Sequence, residues 1–413
     1  MEYDWSRPPL TPILPGRKLI GPLKDMATEV ATTSAGLERS IAPETARTLG
    51  ERLRLVNSYY SNLIEGHKTT IPEIEAALSR KFVEKPERRY AQELCAAHVL
   101  TERQFMGDLD SQPAANVCDI EFIKRLHEKF YSHLPEEHLS THHADGFTGI
   151  PVMPGQLRDT EVSVDGATRH GPCALDLPRH MASFHDAFAP DAFHGDEKLI
   201  AAAVSHHRLT WLHPFRDGNG RISRLHSGLY LARINVNRSN LWSLSRGFSR
   251  NKSGYMLNLR ATDSPDRTNG GMFFDEELTA DFCRFFFEIC LDQINFMKDL
   301  LRLGEIDRRI EWLVQTLIRT GHRDMAPEAE RLLRAVFREG LVPRGRVPEI
   351  VGMPERTARR KVTVPLEKLA LLKSESPKKP LSMGMPVSAL PFLFPSLFDP
   401  SIIGQEYREQ SIV

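Results

Sequence analysis

The chain has 413 residues, 41% hydrophobic and 26% charged, which at about 150 residues per domain suggests two to three domains and excludes wholesale disorder. Lys plus Arg and Asp plus Glu both total 54, so the net charge is zero; a general polyanion binder is excluded, and any nucleic-acid contact must come from a local patch. Five cysteines, an odd number with no C-x-x-C pair, argue against a disulfide framework or zinc ribbon and fit a reducing compartment.

Residues 1–40 read as a Pro-rich irregular arm followed by a short helix, with no apolar core of a secretory signal. Over 42–63, Ala46, Leu49, Leu53, Val56 and Tyr60 recur at three- and four-residue spacing, which predicts a helix stopping near Gly66. Thr70 as N-cap and Pro72 in the first turn start another. Helices are expected over 87–106 and 118–133. Between 141 and 172 glycines and prolines cluster, Glu161 to Val164 alternates polar with apolar, and Asp165-Gly166 follows, which predicts a β-hairpin at 156–170.

Helices are expected again over 176–188, 196–211, 219–234, 251–262, 275–299 and 303–320. Towards the end, a helix over 327–339, a short helix over 346–351, a turn at 352–354 and the basic helix 355–361 precede two apolar runs, 362–366 and 369–372. Helix, turn, basic helix and β-wing outline a winged helix-turn-helix. Residues 374–413 read as a Pro-rich, loosely held tail, and the apolar stretch at 389–398, broken by Pro391 and Pro395, falls short of a membrane span. A soluble cytoplasmic protein is expected.

The segment His213-Pro214-Phe215-Arg216-Asp217-Gly218-Asn219-Gly220-Arg221-Ile222-Ser223-Arg224 carries the chemistry. Gly218-Asn219-Gly220 before a helix lets backbone N–H groups converge into an anion nest, reinforced by the helix dipole. Arg221 and Arg224 share a helix face and can grip further phosphates. Asp217, a lone carboxylate beside phosphates, suits Mg²⁺. His213 can take a proton from an incoming hydroxyl, and Phe215 reads as the apolar peg of the loop. No Walker lysine and no G-x-G-x-x-G is present.

This string resembles the H-x-F-x-[DE]-G-N-G-R-x-x-R signature of Fic-domain proteins, and the resemblance extends over about residues 40–300. It implies transfer of AMP from ATP to a protein Ser, Thr or Tyr hydroxyl. His213 would then be the base, Asp217 the Mg²⁺ ligand, Gly218 to Gly220 the nest, and Arg221 and Arg224 the β- and γ-phosphate ligands. Tyr255 and Asp263 match positions near the nucleoside pocket, though the family often has Asn where Asp263 stands. The 156–170 hairpin would be the flap that orders the target protein by strand addition. Upstream, Ser61-Asn62-Leu63-Ile64-Glu65-Gly66 resembles the family's [ST]-x-x-x-E-[GN] inhibitory motif. Glu65 would pair with Arg224 and occupy the γ-phosphate site; it could also orient water to remove AMP.

The expected architecture is mostly α: residues 1–110 an N-terminal helical arm with the inhibitory helix, 111–300 a Fic-type core with a β-hairpin flap, 301–373 a winged-helix unit and 374–413 a tail. The expected partners are ATP, Mg²⁺ and a protein substrate, which includes the chain itself. Duplex DNA at 355–361 and a second copy of the chain are further candidates. The alternative reading is a DNA-binding regulator whose Fic domain senses nucleotide. A toxin under a separate antitoxin fits less well, since the brake lies on the same chain.

Overall fold

The computed structural model describes residues 10–143, 146–161, 171–264 and 274–397. The first helix, α1 (Arg17–Arg39), is long, not short: Leu23, Ala27, Val30, Ser34 and Leu37 form a continuous buried stripe that packs on α11 (Glu276–Leu300). Next, α2 (Pro43–Ile64) packs against α4 (Pro86–Ser111) and α9 (Leu244–Arg250), which buries even polar residues of its last turns, Ser58, Ser61 and Asn62. Its C-cap is Glu65, followed by Gly66 at φ 93°. Helix α3 (Ile71–Leu78) starts with a reciprocal capping box between Thr70 and Glu73.

After α5 (Ile120–Ser132) come β1 (Ser140–His143) and β2 (Gly146–Pro151), an antiparallel hairpin. Of the expected hairpin at 156–170, residues 162–170 lie outside the described residues. Residues 156–161 form no strand, because Arg158 buries its side chain and its N–H bonds the Pro214 carbonyl at 2.9 Å. Asp165-Gly166 lies outside the described residues.

Helices α6 (Leu177–Phe188), α7 (Glu197–Leu212) and α8 (Asn219–Arg233) follow. The pair α7 and α8 pack on each other with other helices around them, so they are buried almost all round and carry no amphipathic stripe. The seven-residue α9 was not anticipated; it follows a turn in which Asn235, Asn237 and Asn240 take left-handed conformations. Then come α10 (Lys252–Thr262) and α11.

The C-terminal part has α12 (Leu303–Thr320), α13 (Ala329–Glu339), α14 (Val347–Val351) and a turn at Gly352. The next helix, α15 (Glu355–Ala358), runs through a π turn, Arg359–Thr363, into α16 (Val364–Lys368). The apolar run 362–366 is thus helix and not a wing strand. Pro365 cannot donate to the Lys361 carbonyl four residues earlier, and that carbonyl accepts the Ala326 N–H instead at 2.9 Å. The hairpin is β3 (Leu372–Lys373) with β4 (Ser382–Met383), widened by a bridge from Val342 to Leu381.

The expected loose tail is corrected over residues 374–397. Leu381, Met383, Met385, Leu390, Leu393, Phe394 and Leu397 are all buried, the last helix being α17 (Leu390–Leu393); residues 398–413 lie outside the described residues. The C-terminal part docks directly on α2, where Thr45 Oγ1 donates to the Phe337 carbonyl at 2.9 Å. Among the described residues no helix is long and apolar enough to cross a membrane.

Candidate active site

Helix α7 ends at His213 in a left-handed conformation (φ 47°, ψ 58°). Arg158 fixes this corner: Nε donates to the His213 carbonyl at 2.9 Å, Nη1 to Thr160 at 3.1 Å and Nη2 to Pro172 at 2.5 Å. The guanidinium fork is spent on backbone, so Arg158 acts as a positioning residue. Phe215 is fully buried and stacks on His127 with ring centroids 3.9 Å apart. The Asn219 amide closes the loop over it, Nδ2 donating to the Phe215 carbonyl at 2.7 Å and Oδ1 accepting its N–H at 2.9 Å. A carboxylate here could make only the second bond.

Gly218 starts α8 at φ 79°, and a Cβ there would stand 2.8 Å from Tyr131 Oη, so both backbone and space demand glycine. No side chain caps the N-terminus of α8, whose N–H groups remain directed at an incoming anion.

His127 and Tyr131, one turn apart on α5, went unremarked in the sequence. His127 Nδ1 accepts the Gly155 N–H at 2.9 Å, which assigns the proton to Nε2, 3.2 Å from the Asp217 carbonyl. Burial pushes its pKa down to about 3, so it stays neutral. Tyr131 Oη donates to Asp217 Oδ2 at 2.7 Å, and Arg221 Nη2 donates to the same oxygen at 3.0 Å. Arg221 is buried, with Nε and Nη1 lacking hydrogen-bond partners among the described residues. The signal that could have found this pair is two polar aromatic side chains on the otherwise apolar buried stripe of α5.

Arg224, buried on the same face of α8, meets the upstream motif. Its Nε donates to Ser61 Oγ at 2.9 Å, and its Nη2 to the Ser61 carbonyl at 2.9 Å and to Glu65 Oε1 at 2.5 Å. A Cβ on Gly220 would lie 2.5 Å from Glu65 Oε1, so this carboxylate rests on the first turn of α8. Burial raises the Glu65 pKa, but Arg224 and Arg221 overcome it and hold the carboxyl below its usual range. Lys252 Nζ donates to the Ile64 carbonyl at 2.5 Å, which ties down the end of α2 beside Glu65.

Burial pushes His213 down to about 4, against the opposing Thr210 carbonyl. A general base in this state is already unprotonated at neutral pH. In a variant freed of Glu65, kcat/KM for AMP transfer is therefore expected to stay level from pH 8 to pH 6 and to fall only towards about pH 4. A half-loss near 6.5, the ordinary imidazole value, would contradict this placement of His213.

The two residues expected near the nucleoside pocket are both buried. Tyr255 is buried, stacked on Phe248 at 4.3 Å, with its hydroxyl 2.9 Å from His206 Nε2; His206 Nδ1 in turn meets Ser227 Oγ at 2.7 Å. Burial raises the Tyr255 hydroxyl to about 12, with the neighbouring Arg224 guanidinium opposing. Asp263 Oδ1 meets His207 Nε2 at 3.0 Å. The site thus assembles Ser61, Glu65, His213, Asp217, Gly218, Asn219, Gly220, Arg221 and Arg224, with Tyr255 a layer deeper.

The fold is mostly helical, with a buried two-helix centre and a glycine-lined helix start that carries two arginines on one face. Residues 118–231 match the Fic/DOC family, so the chain contains a Fic domain. It is 27% identical over 170 residues to protein adenylyltransferase Fic of Nematostella vectensis, 40% of this chain and 35% of that protein. It is 38% identical over 76 residues to the protein of the same name from Aedes aegypti, 18% of this chain and 15% of that one. The chain therefore spans about a third or less of the length of these curated relatives. A crystal structure of a Fic family protein from Desulfovibrio desulfuricans shares the fold with a TM-score of 0.51 at 18% identity, over 92% of this chain and 99% of that one. A Fic domain containing signaling protein from Bacteroides thetaiotaomicron gives 0.50 at 18% identity, over 66% and 95%.

Proposed function

We propose that the protein is a protein adenylyltransferase that moves AMP from ATP to a Ser, Thr or Tyr hydroxyl of a protein, itself included, and that Glu65 holds it off. One observation carries this reading: a protein carboxylate sits on Arg224 at the N-terminal turn of α8, where the end of a triphosphate would be bound. With Glu65 displaced, the α8 N–H groups, Arg221 and Arg224 take the phosphates. The two unpartnered donors of buried Arg221 are suited to an anion. Asp217, a quarter exposed at the loop mouth, fits a magnesium ion that takes its other ligands from phosphate and water. That ion, when bound, neutralises phosphate charge.

The target hydroxyl oxygen attacks the α-phosphorus, the bond to the β-phosphate oxygen breaks, and pyrophosphate leaves. The hydroxyl proton passes to the His213 imidazole. The chain supplies positioning and charge neutralisation and needs no covalent intermediate.

The deciding test uses ATP labelled at either end, with mass spectrometry of the products. Label from the α-phosphate and an added AMP on protein support the reading; label from the γ-phosphate alone overturns it. Glu65 is one-third exposed and is engaged by Arg224 through Oε1, which favours a second reading. It could orient water for AMP removal, in which case wild type releases AMP from a modified protein and Glu65→Gly does not.

Lys252 lies outside the phosphate contacts but holds the carbonyl next to Glu65. Lys252→Met is expected to raise transfer about three- to tenfold, the scale of losing one charge-assisted bond at a helix C-terminus. The increase should vanish when Glu65 is already glycine, as automodification rates of the four proteins will show.

A further inference from the structure

The C-terminal part carries a surface that AMP transfer does not use. Along the helix of α15 and its π turn, Ala358 and Val362 are buried, while Arg356, Arg359, Arg360 and Lys361 are exposed. The arginines shortly before them each hold a carboxylate: Arg334 with Glu311, Arg338 with Asp307, Arg344 with Glu367 and Arg346 with Glu339. Among the described residues, none of the four cations on this helix does. Like charges at this spacing repel along a helix, and an anion placed against this face would relieve that repulsion.

We propose that this face binds duplex DNA, with the helix starting at Glu355 in the major groove and the β3–β4 loop on the flanking backbone. The order of elements supports it: α13, the Val342 bridge strand, α14, the Gly352 turn, the basic helix and the hairpin. A turn joining two helices presents the second one outward, and a B-form major groove admits such a helix. Lys378 and Lys379, exposed on the hairpin loop, lie where a wing meets phosphates.

Two competing anions fit less well. An acidic peptide would lie in the groove of about 750 Å³ beside the helix, but Glu355, Glu367 and Glu375 line it as well as Arg344 and Arg359. Duplex RNA has a deep, narrow major groove that does not admit a helix. The zero net charge of the chain means that binding is confined to this patch and comes with a small salt slope.

The test is fluorescence anisotropy of the full chain with a labelled 24-base-pair mixed-sequence DNA duplex between 50 and 200 mM salt. Neutralising three or four phosphates gives a slope near −3, so affinity falls about 40- to 150-fold over that range. Arg356→Ala with Arg360→Ala is expected to flatten the slope by about two. Arg360→Lys is expected to keep the slope, as is Arg302→Ala, which changes an exposed arginine on a distant turn. Circular dichroism checks that each variant is folded, and Lys361→Ala serves in place of a double variant that is not. No binding at 50 mM salt, a slope indifferent to these substitutions, or equally tight binding of an RNA duplex or polyglutamate overturns the proposal.

Discussion

Replacing Glu65 by glycine is expected to raise AMP transfer, to the protein itself and to added targets, by about ten- to a hundredfold. Among the described residues, the hydrogen bond its side chain makes is the one it accepts from Arg224. A hydrogen bond to a charged group contributes roughly 1.5–3 kcal/mol, and every 1.4 kcal/mol is tenfold; its one-third exposure argues for the lower part of that range. Arg224 keeps its two bonds to Ser61, so it remains aimed at the phosphate site. Glycine suits the end of α2, and only a small loss of thermal stability is expected. Equal rates for variant and wild type would remove Glu65 as the brake.

Acid does not release this contact at working pH. The Glu65 pKa lies below the ordinary carboxylate range, so the pair is fully present above that range and is lost only as pH falls through the depressed value. Wild type is therefore expected to remain slow from pH 6 to pH 8, and displacement must come from competition or from movement of α2.

Replacing His213 by alanine, in the Glu65→Gly background, is expected to cut transfer by about a hundred- to ten-thousandfold, the usual range for a positioned base. ATP affinity is expected to change little, because the phosphate contacts come from α8 and its arginines. Turnover and nucleotide binding measured on the same variant separate the two effects. Replacing Arg224 is expected to strike binding first. A His213→Ala protein that retains its rate would show that the imidazole takes no proton.

Much of the fold was legible where an apolar stripe has a helical period and a local cap. The Thr70 capping box and the α2 stripe are such cases, and both depend only on residues a few positions apart. The pairing at 140–151 left no such local signal, because it is irregular, its register shifting between Ser140 and His142, while the local turn signal Asp165-Gly166 lies outside the described residues. The tail at 374–397 read as loose because its prolines conceal spaced apolar residues that are buried only against the helices beneath them.

By itself the amino-acid sequence marked the loop from His213 to Arg224, through a glycine-flanked helix start and two arginines three residues apart on one helix face. Only the tertiary structure decided what faces that loop. Glu65 reaches Arg224 across 159 residues of sequence, His127 and Tyr131 support Asp217, and Tyr255 turns into the core; these follow from how α2 and α5 pack on α8, and α10 on α9 and α11, which no local rule specifies.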